Sequence, residues 1–397
     1  MQAAQIGLRV AEPQSLRVAE LQTGLKSAEL KVRSGHIVAV RLFDIAYAID
    51  LRKVEEIWAR YAGTASSRSR LSATPAKAVA FGVPPVALSF DPIPLQLGTL
   101  AVTAAATVRI YDFGVVALAL RVAAVDMSWP EYTTLLNAMD AHIGEGGDGR
   151  LWDGLLARVR TLLAEALVRP TVSAIEEDYL IGTVHAFSEQ LTATALQDRV
   201  DLVPLLSGEQ RALSDGARRD LLRQSYSYYA DDLVVVTWDR AFIYEPRGDA
   251  DVADVLEVAN AQLLEMRYYD ELLDDELPRM YELVERTRRG GGVLSSRRFA
   301  RLARRLYALV AEVTELTEKA DNALQVTEDV YLARIYTAAL ELFRVRVVAA
   351  GVDRKLAIIR DTYAALYDEA SGGRAALMEL AIVVLIVVEI VLAVLRP

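Results

Sequence analysis

Apolar residues return at heptad spacing through much of the C-terminal part of the chain. Val252, Leu256, Ala259, Leu263, Met266, Asp270, Leu273, Leu277, Met280 and Val284 step by four and three, with only Asp270 polar. Phe299, Leu302, Leu306, Leu309, Val313, Leu316, Ala320 and Ala323 do the same. A third run passes through Tyr331, Ile335, Ala338, Leu342, Val345, Ala349, Val352, Leu356, Ile359, Tyr363 and Leu366. Such spacing keeps one seam against a partner helix, as in a coiled coil. Pro278 should kink the first run. Gly290, Gly291 and Gly292 interrupt the pattern, so the first two runs are expected to fold back as an antiparallel hairpin. From 250–288 and 294–323, its arm should be roughly 45–55 Å long. The phase slips between Ala323 and Tyr331, and the second and third runs are open to being one long helix, locally unwound or bent there.

The N-terminal half mixes two periods. Ile37 to Leu51 reads as a strand, with a helical pattern through Arg60 after it. Leu100 to Ala123 reads as a hairpin turning near Asp112-Phe113-Gly114. A helix is expected from Ser128 as cap, with Pro130 in its first turn. Leu151 to Val168 and Gly208 to Gln224 look helical, Tyr179 to Phe187 extended, and Asp232 to Glu245 a second hairpin. Val40-Arg41-Leu42-Phe43-Asp44 and Val108-Arg109-Ile110-Tyr111-Asp112 match in pattern, as two copies of a β–α unit would. Strands and helices interleave without strict βαβ order, so the fold class is α+β. Residues 1–36 are expected to be weakly structured, 37–247 a globular domain and 248–371 the helical arm. Ser66 to Ala76 reads as a loop or linker.

The run from Ala375 to Leu395 is apolar except for Glu379 and Glu389. Twenty-one residues at 1.5 Å each reach roughly 32 Å, enough for a transmembrane helix. Gly372 and Gly373 mark a hinge before it. No second span and no signal-peptide pattern are found, so the run is expected to be a tail anchor. Arg354, Lys355, Arg360 and Arg374 precede it and Arg396 follows. The positive-inside rule then places the large N-terminal part in the cytoplasm, at the inner membrane, as a single-pass protein. Glu389 costs on the order of 3 kcal/mol near a bilayer centre. Its readings are an oligomer contact, an ion or proton site, or a carboxyl snorkelling to the interface.

Composition narrows the chemistry. The chain has 397 residues, 53% hydrophobic and 25% charged, with no cysteine and three histidines. Disulfides, thiolate nucleophiles and zinc ribbons are excluded. Forty-four Lys and Arg against fifty-four Asp and Glu leave a net charge of −10, which argues against general nucleic-acid binding unless basic residues are segregated. One such segregation exists: Arg286, Arg288, Arg289, Arg297, Arg298, Arg301, Arg304 and Arg305 flank the glycine turn. This basic tip suits phosphate, whether of RNA or of lipid headgroups, or else is a solvated helix end paired with carboxylates. Asp270, Glu271, Asp274, Asp275 and Glu276 suit a divalent cation or a solvated acidic face. Glu176, Glu177, Asp178 and His185 are the nearest approach to a ligand cluster, with a structural role as the alternative. Tyr226, Tyr228 and Tyr229 are open to ligand stacking or to packing. Phosphate loops, dinucleotide fingerprints, nucleophile elbows and His-Glu-x-x-His are missing from the sequence. No catalytic, cofactor or metal residues are therefore assigned.

The stretch from Met378 to Ile390, with Leu263-Leu264-Glu265-Met266-Arg267 and Phe113-Gly114-Val115-Val116, resembles the required-for-meiotic-nuclear-division (sporulation) family. That resemblance implies an α+β domain, a helical arm and a C-terminal membrane anchor. Its mitochondrial members support organellar translation, which implies a ribosome or RNA partner. The architecture also resembles the magnesium-transporter family, without its Gly-Met-Asn motif or second span. Two functions are thus expected to compete: a non-enzymatic, membrane-tethered scaffold that forms homo-oligomers, and an oligomeric ion-conducting or ion-sensing protein.

Overall fold

The computed structural model describes residues 30–62, 67–68, 79–144, 147, 149–209, 211–289, 293–321, 324–326 and 330–395. It is an α+β protein built on one large sheet. The chain enters through β1 (Lys31–Asp44), β2 (Ala46–Ile49) and α1 (Leu51–Ala62), then β3 (Ser67–Arg68), β4 (Val79–Phe81), β5 (Val86–Leu97), β6 (Leu100–Ile110), β7 (Val115–Ala124) and β8 (Met127–Ser128). Helices α2 (Trp129–Ile143) and α3 (Arg150–Leu162) lead to β9 (Leu167–Pro170) and β10 (Glu176–Phe187). Short helices α4 (Ala193–Arg199), α5 (Val203–Ser207) and α6 (Asp215–Leu221) precede β11 (Ser225–Tyr226), β12 (Leu233–Val236) and β13 (Arg240–Tyr244). The remainder is α7 (Asp251–Arg289), α8 (Val293–Asp321), β14 (Leu324–Val326), α9 (Val330–Leu342) and α10 (Val345–Leu395).

The sheet order is β11-β12-β13-β10-β1-β7-β6-β5-β3, with β8 also on β1. Its pairs are antiparallel except β10 with β13. β1 begins at Lys31, six residues before the expected strand start. It is central and buried on both faces. Ile37, Ala39 and Phe43 join α2 and α3 in one core, while Val38, Val40 and Leu42 join α7 and α9 in the other. That double burial explains why Ile37 to Val40 are apolar without alternation, with Arg41 before Leu42 and Phe43. Ser128 caps α2 as expected, its hydroxyl and the Glu131 carboxylate closing a reciprocal box with Pro130 in the first turn.

The two similar pentapeptides are not copies of one unit. Arg41 pairs across β7 with Leu118 and Arg109 with Ala117, so the two arginines point to opposite faces of the sheet. β6 also runs into β7 by a tight turn rather than into a helix. Gly114 in that turn has φ +102, and a Cβ there would drive into the Ala46 carbonyl oxygen.

The first sixteen residues of α7 lie on the sheet, so only the part after Met266 leaves it. From Arg267 to Arg289 the projecting length is about 33 Å at 1.5 Å per residue, shorter than expected. Val255, Val258, Ala261 and Leu264 are buried along with the heptad positions, because α9 covers the side of α7 away from the sheet. The helix continues past Pro278. The third heptad run is not one helix with the second. β14 pairs with β4 between them, and Arg344 at φ +56 separates α9 from α10. Gly290–Gly292 lie outside the described residues, but α8 does return toward the sheet. Arg305 meets Glu276 at 3.4 Å, and further along Glu312 meets Arg169 at 2.9 Å. α10 then runs beside both, with Tyr363 against Tyr307 and Lys355 on α7. A third core fills this bundle, including Leu273, Met280, Leu302, Leu306, Val313, Val352 and Ile359.

Candidate functional site

Three polar assemblies stand out, and the first lies under α7. Arg109 on β6 reaches Asp254 at 2.8 Å and Glu257 at 3.3 Å. The Tyr111 hydroxyl donates to Glu257 at 2.7 Å, and that of Tyr336 to Gln262 at 2.6 Å. One helical turn on, Glu265 is fully buried, accepts from Tyr269, and has its Oε2 unpartnered. Burial pushes the Glu265 carboxyl well up, and the charge of Asp44 adds to it. Asp44 is itself pushed up to about 6 by burial, against a hydrogen bond from Thr171 and the charge of Arg160. Sequence periodicity missed this layer because Asp254, Glu257 and Glu265 fall between heptad positions, where a solvated face is expected. The signal was a helix apolar at nearly every other position in that stretch.

The second assembly is a cleft of about 570 Å³ where α2, α7, β10 and the β12–β13 turn meet. Asp140, Glu176, Glu177, Asp178, Asp239, Trp238 and Arg267 help line it. Strand alternation sends Glu177 toward Arg267 on α7 and Glu176 toward Arg41, which it meets at 3.1 Å. Arg240, almost fully buried, bonds Asp140 at 2.5 Å, the Asn137 amide oxygen at 2.6 Å and the Leu205 carbonyl at 2.8 Å. His185 does not join these carboxylates. It sits at the other end of β10, with its ring 5.2 Å from that of His36 and its Nδ1 3.0 Å from the Glu245 carbonyl. Burial first, then the charge of Arg121, lowers His36 to about 3, so it stays neutral in the physiological range. Among the described residues no group of three or more such side chains could hold a metal ion. The chemistry of the cleft is charge pairing at the ends of strands inside the sheet. Tyr226 on the edge strand β11 and Tyr228 and Tyr229 just beyond it lie away from the cleft, in aromatic and cation–π contacts with Tyr331, Arg334 and Arg247.

The third assembly is the arm. Lys355 on α10 lies 2.7 Å from Asp270 and 2.6 Å from Asp274. Arg279 pairs with Asp275 and with Glu276, the latter at 2.8 Å. Four of the five candidate cation ligands are thus engaged by basic side chains. Arg301, Arg304 and Arg305 are exposed on α8. The side chains of Arg286, Arg288, Arg289, Arg297, Arg298 and Glu379 fall outside the described residues. Ile382–Ile386 and Glu389 are exposed. Among the described residues no helix is long and apolar enough to cross a membrane. The expected transmembrane helix is therefore not shown. Five described apolar side chains in a row are too few for a hydrocarbon core about 30 Å thick.

Comparison with known proteins corrects the expected kinship. No solved structure matches. The chain is similar to the "Uncharacterized protein MJ0711" of Methanocaldococcus jannaschii, at 24% identity over 214 residues, 53% of this chain. The match spans 65% of that relative, less than two thirds of its length. A family model described as "Uncharacterized protein MJ0711, N-terminal domain" matches residues 34–251, from within β1 to the first residue of α7. Nothing connects the chain to the meiotic-nuclear-division family. The Met378–Ile390 stretch lies outside the match and is an apolar composition that unrelated helices share, while Phe113-Gly114-Val115-Val116 answers to a local turn. With more than half of its residues matched, the chain belongs to the family of the MJ0711 N-terminal domain.

Proposed function

We propose that this protein is a non-enzymatic scaffold held at the inner face of a membrane by the end of α10. The observation that carries the reading is the register set by Lys355, which stands level with the midpoint of Asp270 and Asp274. Seventeen residues beyond that midpoint α7 reaches Arg289, and seventeen beyond Lys355 α10 reaches Gly372. The apolar run 375–395 thus begins where α7 gives out, and α10 carries it onward as helix to Leu395. A helical extension with two glutamates among apolar residues is ill suited to water and well suited to a bilayer or to sister helices. The basic residues ahead of the run favour a cytoplasmic position for the sheet domain. The engaged carboxylates of the acidic arm support scaffolding over ion sensing.

Deletion of residues 375–397 tests the reading. The full chain should stay with membranes through an alkaline carbonate wash, and the shortened chain should appear in the soluble fraction. Extraction of the full chain, or retention of the shortened one, would refute the anchor.

A further inference from the structure

We infer that the free end of the arm is a collar for anionic phospholipid headgroups. The inference rests on the membrane-anchored reading and adds a partner chemistry to it. Residues 286–305 contain eight arginines and no Asp or Glu, in a chain of net charge −10. Side-chain contacts between the three helices bracket their level along α10. The Lys355 contacts set Arg286, Arg288 and Arg289 level with residues 369, 371 and 372 of α10. The Tyr307–Tyr363 ring pair, with centroids 5.8 Å apart, sets Arg298 and Arg297 level with residues 372 and 373, while the Arg305–Glu276 contact carried through the Lys355 register sets them level with 366 and 367. Both helices therefore carry these positions to the level of the last turns before the apolar run opens at Ala375. In the sequence of α10, Asp368 and Glu369 precede this level and Arg374 directly precedes the apolar run.

A basic ring at the foot of an apolar helix is where a headgroup layer would lie. Guanidinium forks match phosphate oxygens two at a time. Arg305 also meets Glu276, yet its side chain remains 66% exposed. An RNA or ribosome would have to share this end of the arm with the bilayer that holds α10, so the geometry favours lipid. Each arginine at an anionic surface is worth roughly fivefold in partition at low salt.

The test uses the full chain and its Arg297, Arg298, Arg301, Arg304 and Arg305 to Gln variant. Both are floated with vesicles of phosphatidylcholine alone and with 30 mol% phosphatidylglycerol (~30%, a common anionic fraction), at low and at high salt. The full chain should prefer the anionic vesicles by at least about tenfold at low salt. The variant should lose that preference and still float with neutral vesicles. Equal flotation of the full chain on both vesicles would overturn the collar and leave the anchor standing. Flotation on anionic vesicles alone, abolished in the variant, would refute the anchor and with it the collar, leaving the arginines as a peripheral lipid contact. A variant that keeps its lipid preference but loses co-sedimentation with RNA would assign the tip to nucleic acid and overturn the inference. Circular dichroism of the variant, expected to match that of the full chain, keeps a folding defect from imitating the result.

Discussion

Arg109 and Asp254 stand 2.8 Å apart between the sheet and a helix buried on nearly every side. With Glu257 and Tyr111 they fasten the first turns of α7 to β6. Removing the cation strands two carboxylates in a dry layer, at about 3–5 kcal/mol. Arg109→Met should therefore lower the urea midpoint sharply. The triple change Arg109→Met, Asp254→Leu, Glu257→Met should recover most of the loss, since matched apolar packing replaces a buried ion cluster at little cost. A triple variant no better than the single one would show that the cluster is not what fastens α7.

Asp44 makes stability fall as pH rises. Its folded pKa of about 6 lies above its ordinary value of 3.8, so the folded state binds the extra proton. The stabilising contribution is present below pH ~4 and is lost as pH climbs through about 6. A shift of that size corresponds to roughly 3 kcal/mol. Asn at this position keeps an acceptor for the Thr171 hydroxyl, now 2.6 Å from the carboxylate. Asp44→Asn should flatten the part of the pH–stability curve between about 4 and 7, measured by urea denaturation. Glu265, also raised, should supply the slope that remains.

Two turn glycines separate strain from crowding. Gly98 has φ +61 with open space around it, whereas Gly114 has φ +102 against the Ala46 carbonyl. Gly98→Ala should cost about 1 kcal/mol from backbone strain alone. Gly114→Ala should cost well over ~3 kcal/mol, because the β2 backbone must move as well. Thermal midpoints of the two variants, compared directly, check the ranking.

Much of this architecture was legible because its signals are local. Ser128-Trp129-Pro130-Glu131 announces a helix start through hydrogen bonds within four residues. The β6–β7 and β12–β13 hairpins lie close to where alternation and turn residues put them. Heptads, by contrast, report a seam and not its partner. Val252 to Met266 reads like an arm, but its partners are the sheet and α9, each distant in sequence. The cleft was half legible. Glu176 to Asp178 were visible as a cluster, whereas Asp140, Asp239 and Arg267 arrive only through tertiary folding. His185 stands near them in sequence, but a strand rising 3.3 Å per residue carries it roughly 23 Å away.

Lys355 should govern the arm's end more than overall stability. Its ion pairs with Asp270 and Asp274 are partly exposed, so their loss should cost only about 1 kcal/mol globally. Local opening is another matter, because these pairs clip α10 to α7 just beyond the sheet. In Lys355→Gln, amide hydrogen exchange should quicken along 352–366 while the protection of β1 and β10 stays unchanged. Uniform acceleration across the sheet would mean that the arm and the sheet open as one unit.

Glu389 supplies the last test. It is exposed on α10, three residues beyond the exposed stretch Ile382–Ile386. Inside a bilayer such a carboxyl is stabilised by hydrogen bonding to another helix, and the nearest source is a second copy of α10. Gln keeps a hydrogen-bonding head and Leu removes it. Cross-linking in detergent micelles should therefore trap oligomers of the full chain and of Glu389→Gln, and several-fold fewer of Glu389→Leu. The same Leu variant should remain in carbonate-washed membranes at least as firmly, since an apolar residue removes an insertion cost of on the order of 3 kcal/mol. If Leu leaves the cross-linked species intact, the copies meet through the arm seams instead, and Glu389 reaches the interface alone.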